Sequence, residues 1–180
     1  VGRQWGFIPG ILKARFGAHE VITLMMLNYV ALYLNGYMVN YPYKAPGWVS
    51  QTVPIDKAAE LPRILPPTQL SASIVVAVFM AAILLYVLRR TTFGYQVRAV
   101  GLKLSVAEGR GINAKRMMVL SLVLSGAIAG LGGSGEIMGV HRRFIEGFSP
   151  GYGWDGLAVA LVGGLNPIGV LLAAVLFGAI

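Results

Sequence analysis

The sequence has no cysteine and only two histidines. The first absence excludes a disulfide scaffold, a thiolate metal site and a cysteine nucleophile. Charge is scarce as well: 12% of the 180 residues are charged, about half of the roughly 25% usual for a soluble domain. Acids are scarcer still, 7 against 15 Lys and Arg, for a formal net charge of +8. What fills the chain is apolar, with 56% hydrophobic residues and 24 glycines. That excludes disorder, which needs low hydrophobicity. It also argues against a partnership with nucleic acid, because so apolar a sequence does not carry a broad basic surface. The composition is that of a polytopic membrane protein with its positive charge gathered in a few loops.

Several chemical motifs are missing too. No G-x-x-x-x-G-K-[ST] occurs, so any nucleotide chemistry belongs to another chain. His19-Glu20 is followed by Val21, Ile22 and Thr23, so no H-E-x-x-H metal motif is formed. Gly130-Leu-Gly132-Gly-Ser-Gly135 matches G-x-G-x-x-G, but it lies in an apolar span without the strand that a dinucleotide site requires. No Ser/His/Asp set with usable spacing stands out. The reading is a non-catalytic protein without a cofactor or metal on this chain.

The uncharged stretches set the architecture. Val21–Tyr41, Ser71–Leu88 and Met117–Gly135 run for 21, 18 and 19 residues without a charge, near the ~20 residues that cross a bilayer. None alternates as barrel strands do, so helices are expected. The predicted spans are about 19–41, 71–88 and 117–138. A fourth uncharged stretch, Gly156–Ile180, is cut by Asn166-Pro167. It predicts a half-helix at about 154–164, a break, and a second helix over 167–180 with Pro167 in its first turn. Such a break is either a kink between packed helices or the lining of a path. The fold class is thus all-α, an integral membrane helix bundle with a broken helix near the C-terminus. Because the chain starts at Val1 and ends inside an apolar run, it is expected to be a fragment of a larger protein.

The loops orient the bundle. Residues 89–116 hold seven basic side chains and one acid, net +6, and the first 18 residues add +3. By the positive-inside rule both are cytoplasmic, and the loop 42–70 faces outward. Tyr29, Tyr33, Tyr37, Tyr41, Tyr43 and Trp48 thicken toward the outer end of the first span, as an interfacial belt would. Small residues recur every four positions in the third span (Ser121, Ser125, Ala129 and Gly133; Gly126, Gly130 and Ser134), which allows close helix packing.

Within the basic loop, Ser105-Val-Ala-Glu108 reads as a capping box between glycine hinges at Gly101 and at Gly109 and Gly111. A helix this short needs a partner to dock against. The alternative is a plain basic loop drawn to anionic lipid. Polar groups within the spans are few. Asn28 and Asn35 lie seven apart on one helix face, Glu136 sits near the outer end of the third span, Asp155 opens the half-helix, and Asn166 marks the break. Each is a candidate for a substrate path. The competing roles are interhelical hydrogen bonding for the two asparagines, an ion pair with Arg142 and Arg143 for Glu136, and helix capping for Asp155.

These strings resemble a known family. His19-Glu-Val-Ile-Thr-Leu-Met-Met-Leu-Asn28-Tyr29, Arg90-Thr-Thr-Phe-Gly94-Tyr-Gln-Val-Arg98-Ala-Val-Gly101, Ala107-Glu-Gly-Arg-Gly111-Ile, Ser125-Gly-Ala-Ile-Ala-Gly130, Gly147-Phe-Ser-Pro-Gly151-Tyr-Gly-Trp-Asp155-Gly-Leu-Ala and Asn166-Pro-Ile-Gly-Val are similar to the permease subunits of bacterial ATP-binding cassette (ABC) importers. The branch is that of branched-chain amino acids, simple sugars and nucleosides, and the Asn28-Tyr29 and Gly147–Gly156 strings look most like its nucleoside and simple-sugar members. The resemblance implies a multi-pass protein of the bacterial cytoplasmic membrane and a cytoplasmic coupling helix around Gly101–Gly111. Arg98, Gly101, Ser105, Ala107, Glu108, Gly109 and Gly111 would then meet an ATPase subunit. It implies a second permease subunit, an extracellular or periplasmic substrate-binding protein, and ATP with magnesium on the partner ATPase. Rival readings are an ion-driven secondary transporter and a branched-chain amino acid permease of the same family.

Overall fold

The computed structural model describes residues 2–62, 71–149 and 151–179. Its helices are α1 (Gly2–Phe16), α2 (Glu20–Asn40), α3 (Ser73–Arg90), α4 (Thr92–Leu102), α5 (Leu104–Gly109), α6 (Ala114–Glu136), α7 (Tyr152–Val162) and α8 (Pro167–Ala179). A π-helical turn, Ile137–His141, prolongs α6. Among the described residues the strand-like pairings are two isolated bridges, Lys44 with Thr52 and Gln51 with Ile145. The fold is all-α, as the uncharged runs require. Residues 63–70 of the expected outer loop, including Arg63 and Pro66-Pro67, lie outside the described residues, as does Ile180.

Three helices are long and apolar enough to cross a membrane: Glu20–Asn40, Ser73–Arg90 and Ala114–His141. Few apolar side chains are buried, among them Val39, Ala107, Ala114, Met117 and Ala173. Leu, Val, Met and Phe instead cover the outside of the bundle. In lipid this carries no penalty, because hydrocarbon is as apolar as leucine, and helix contact must come from close packing.

Glycine supplies that packing. The basic N-terminal segment, read from sequence only as a source of charge, is the helix α1 lying along α6. A Cβ on Gly6 would stand 2.3 Å from the Leu122 carbonyl oxygen, and one on Gly10 would stand 3.2 Å from Val119 Cα. As the number rises on α1 it falls on α6, so the two helices are antiparallel. Pro9 is fully buried in the same helix. α1 ends in a left-handed glycine cap: Gly17 has φ +65° and its N–H donates to Lys13 O (3.1 Å), while Ala18 N–H donates to Leu12 O (3.5 Å). Lys13 pairs with Glu20 across this turn into α2.

α3 is also antiparallel to α6. Its N-terminal end meets the far end of α6, where a Cβ on Gly139 would strike Ser71 Oγ at 2.3 Å and one on Gly135 would lie 3.2 Å from Ser73 Cβ. Ser71 is buried, and its hydroxyl lies 2.5 Å from that of Ser73. α8 packs on α3, and α7 folds back on α8. The turn Gly163–Asn166 interrupts the last uncharged stretch, and α8 opens at Pro167. A Cβ on Gly169 would stand 2.1 Å from the Gly163 carbonyl oxygen, so the two half-helices touch through backbone.

The glycines therefore differ in tolerance. Gly94, where a Cβ would lie 2.3 Å from Val87 O and 2.6 Å from Leu88 Cα, has no room, whereas Gly101 has nothing within 4 Å. Gly94→Ala is expected to destabilise the protein by about 1–3 kcal/mol through overpacking. Gly101→Ala, inside a helix, is expected to be neutral or stabilising by up to about 1 kcal/mol. Unfolding of the two variants in detergent micelles checks this; equal stability would contradict the close contact.

Candidate coupling face and the polar groups of the spans

The end of α3 builds a corner. Thr91 leaves the helix with φ −110° and ψ 155° and caps α4. Its hydroxyl donates to Val87 O (2.6 Å) and accepts the Gly94 N–H (3.2 Å), so one side chain joins the last turn of α3 to the first of α4. Gly94 is buried against the Val87–Leu88 backbone, which turns α4 back on α3. This accounts for the Arg90-Thr-Thr-Phe-Gly94 string in local terms: a hydroxyl that bridges and a residue without Cβ.

α4 then runs through Gly101 to Leu102. Gly101 is a helical residue, not the hinge expected from sequence; the break falls at Lys103, with φ −158° and ψ 106°. α5 begins at Leu104 with Lys103 as N-cap and no side-chain capping bond. Ser105 therefore lies one residue inside the helix, and the expected capping box with Glu108 does not form. The start is fixed instead by the extended backbone of Lys103. The glycine stop does occur. Gly111 has φ +76°, and its N–H donates to Glu108 O (2.9 Å), while Ile112 N–H donates to Ala107 O (3.1 Å). Asn113 Oδ1 then caps α6 by accepting the Arg116 N–H (3.0 Å).

The result is a short helix held at one end of the bundle. Ala107 is buried and anchors it, while Ser105, Glu108, Gly109 and Gly111 are exposed. Gly101 and Arg98 are exposed on α4, where Arg98 Nε donates to Gly94 O (3.3 Å). A groove of about 490 Å³ separates α4 from α5, lined by Tyr95, Arg98, Lys103, Ala107, Arg110 and Ile112 among others. Six of the seven residues selected from the sequence are thus exposed at this end of the bundle, and the seventh, Ala107, is buried.

The opposite end of the bundle is polar and hydrogen-bonded. Residues 45–61 run beside 138–146: Thr52 N–H donates to Phe144 O (2.9 Å), Ile55 N–H to Arg142 O (2.9 Å) and Leu61 N–H to Met138 O (3.1 Å). Asn40, at the end of α2, donates to Glu146 Oε2 (2.9 Å) and accepts from Ser50 Oγ (2.7 Å).

The polar groups selected within the spans do not converge on one point. Glu136 ends α6, with Oε1 3.8 Å from His141 Nδ1. The expected partners Arg142 and Arg143 turn to Glu60 (3.2 Å) and Gln51 (3.1 Å), because the left-handed residue Arg142 (φ 55°) redirects the chain after the π-helical turn. Glu136, Ser71, Ser73 and Ser134 are polar points in a largely apolar cavity of about 1150 Å³ between α3, α6 and α8. Leu165 and Pro167 line the same cavity. Asn166 between them caps α8, its Oδ1 accepting the Ile168 N–H (3.3 Å). Asp155 is not the cap of α7. That position is Gly151 at φ +117°, and Asp155 stands exposed in the first turn, where a carboxylate complements the helix dipole. Asn28 and Asn35 are exposed on α2, away from this cavity. Among the described residues no group of three His, Asp or Glu side chains could hold a metal ion. The helix α1 and the Thr91 bridge escaped the sequence reading. The Gly6-x-x-x-Gly10 spacing was the signal for the first, the same device recognised in α6.

Comparison with known proteins follows the same lines. The chain is 37% identical over 98% of its length to the guanosine ABC transporter permease protein NupP of Bacillus subtilis, of which it covers 52%. It is 37% identical to the nucleoside ABC transporter permease protein NupB of Lactococcus lactis, with 98% of the chain and 51% of the relative aligned. It is 32% identical to the glucose ABC transporter permease protein TsgB13 of Haloferax volcanii, again over 98% of the chain and 49% of the relative. The chain thus spans about half the length of the curated relatives it matches. No solved structure matches it. The three crossing helices make it a multi-pass membrane chain. A family model, branched-chain amino acid transport system / permease component, matches residues 1–180, and the chain belongs to that family of ABC transporter permeases.

Proposed function

We propose that this chain is part of the permease subunit of an ATP-driven importer that carries a nucleoside or a simple sugar across the cytoplasmic membrane. The observation that carries this reading is the geometry of α5. A six-residue helix cannot be stable alone. Here it is pinned by buried Ala107 and by the Lys103 and Gly111 backbone, and it offers Ser105, Glu108 and Gly109 outward. That is the form of a rigid lever for a partner. The partner is a separate ATPase subunit that binds ATP and magnesium; this chain supplies no covalent chemistry. The names of the relatives support a nucleoside over a branched-chain amino acid.

The bundle is oriented by charge. The α4–α5 end carries the +6 loop and faces the cytoplasm, while the ladder of 45–61 with 138–146 faces outward, where a substrate-binding protein delivers its cargo. Closure of the ATPase on ATP moves α5. Because Thr91 and Gly94 join α4 rigidly to α3, the movement reaches the spans and, with a second permease subunit, rocks the path between outward and inward states. Glu136 beside its cavity and Asn166 at the break are the candidate polar points of that path; Asn28 and Asn35 on α2 and Asp155 on α7 are exposed and lie away from that cavity. An ion-driven transporter would need buried acids in the spans as coupling sites; among the described residues of the three crossing helices the acids are Glu20, which opens α2, and Glu136, in the last two turns of Ala114–His141.

Two outcomes are expected in membrane vesicles carrying the complete importer. The double variant Glu108→Lys/Gly109→Trp should lower ATP-dependent guanosine uptake at least ~10-fold, about 1.4 kcal/mol of coupling, while the subunit still inserts at the wild-type level; normal uptake would refute the lever. Orthovanadate, which traps an ABC-type ATPase after hydrolysis, should abolish uptake, whereas collapse of the proton gradient should leave it largely intact.

A further inference from the structure

The tyrosines of α2 do not all fit a belt at the membrane surface. Tyr29, Tyr33 and Tyr37 recur at four-residue spacing on one face of the helix, and Tyr41 follows at its end. At 1.5 Å per residue, Tyr29 lies about 14 Å from one end of α2 and about 17 Å from the other. That is the middle of the bilayer, where an interfacial anchor has no headgroup to meet. Tyr29 and Tyr33 are 57% and 78% exposed, and among the described residues neither hydroxyl forms a hydrogen bond. A phenol O–H facing hydrocarbon would be left unpaired. Water or protein matches the face that carries it better than hydrocarbon does.

The outer end of this face is polar. Asn40, seven residues after Tyr33, shares its face and joins the Glu146–Ser50 cluster. Gly36 lies just below, where a Cβ would come within 3.1 Å of Glu146 Oε1. Tyr37 and Tyr41 stack with ring centroids 5.1 Å apart. The face thus runs from a hydrogen-bonding mouth, past a stacked aromatic pair, to two tyrosines at mid-membrane.

We propose that Tyr29, Tyr33 and Tyr37 form an aromatic wall of the water-filled substrate path, along which the flat base of a nucleoside stacks after its hydroxyls have met the Asn40–Glu146 cluster at the mouth. This rests on the importer reading above and narrows its substrate class to a nucleoside. Stacking suits a path because every base offers a π-face and no fixed hydrogen-bond pattern has to be broken for it to move on. The earlier candidates Asn28 and Asn35 stand on the other side of α2.

The absence of cysteine from this chain makes the test direct. In the complete importer, freed of any cysteine elsewhere, Tyr33→Cys is exposed to a hydrophilic, membrane-impermeant methanethiosulfonate. Ala31→Cys, on the opposite side of the helix at the same depth, is the control. Tyr33→Cys should react at least ~10-fold faster than Ala31→Cys, and guanosine should slow the reaction while glucose does not. Equal, slow labelling of both positions would overturn the aqueous wall; labelling unaffected by guanosine, or slowed equally by glucose, would overturn the stacking site. In uptake, Tyr33→Phe should keep KM near the wild-type value and Tyr33→Leu should raise it severalfold, and a Leu variant with unchanged KM would remove the ring from the path. If the unmodified importer accumulates neither a nucleoside nor a simple sugar, the importer reading itself fails, a result read separately from the labelling.

Discussion

Backbone-to-backbone contact through glycine is the constraint on which the rest of this structure depends. Lipid tails are as apolar as the side chains that face them, so burial of leucine cannot draw two helices together. Close approach can, because it gathers many weak dispersion contacts at once. Gly6 against Leu122 seats α1 on α6, Gly94 against Val87 and Leu88 folds α4 onto α3, and Gly163 against Gly169 closes the α7–α8 hairpin. Each removes a Cβ where another backbone has to pass. The abundance of glycine in so helical a chain is therefore a packing property rather than a sign of flexibility.

From that packing comes a division of labour between the two ends. At one end the chain makes two short helices, and their positions are dictated by one side chain, the Thr91 bridge, and by backbone, the extended Lys103 and the left-handed Gly111. At the other end irregular segments satisfy each other's amides, from Thr52 with Phe144 to Leu61 with Met138. A loop that paired with nothing would leave polar groups open. Here the pairing also carries Glu60 to Arg142 and Asn40 to Glu146, so the exit of α2 and the exit of α6 are tied to one another. The spans connect an end of short, backbone-fixed helices to a polar, hydrogen-bonded end.

Much of this was legible in the residues, and the reasons differ by element. The three crossing helices follow from uncharged runs, since no polar side chain interrupts them and the bilayer sets their length. The break before Pro167 follows because proline opens a helix more readily than it continues one, although the chain leaves α7 earlier, through the left-handed Gly164 and Leu165. The capping box at Ser105 was misread. The S-x-x-E pattern needs Ser105 in a non-helical conformation, and the extended Lys103 starts the helix two residues too early for that. Gly101 was taken for a hinge because glycine often stops helices, but with open space around it and an intact hydrogen-bonded turn nothing makes it do so. Arg142 and Arg143 stand near Glu136 in sequence, yet the π-helical turn and one left-handed residue send both to the outer loop.

By itself, the sequence determined which parts of this chain suit a bilayer and, through the positive-inside rule, the direction expected for them. Those depend on composition summed over 20 residues and on the sign of charge in the loops, and both are local properties. Only the tertiary structure decided which neighbours meet: that α1 lies along α6, that Glu136 faces His141 and an apolar cavity, and that Asn40 at the end of α2 meets Glu146 and Ser50. Such pairings turn on fractions of an ångström between backbones and on single left-handed residues, quantities that no pattern of residue types records.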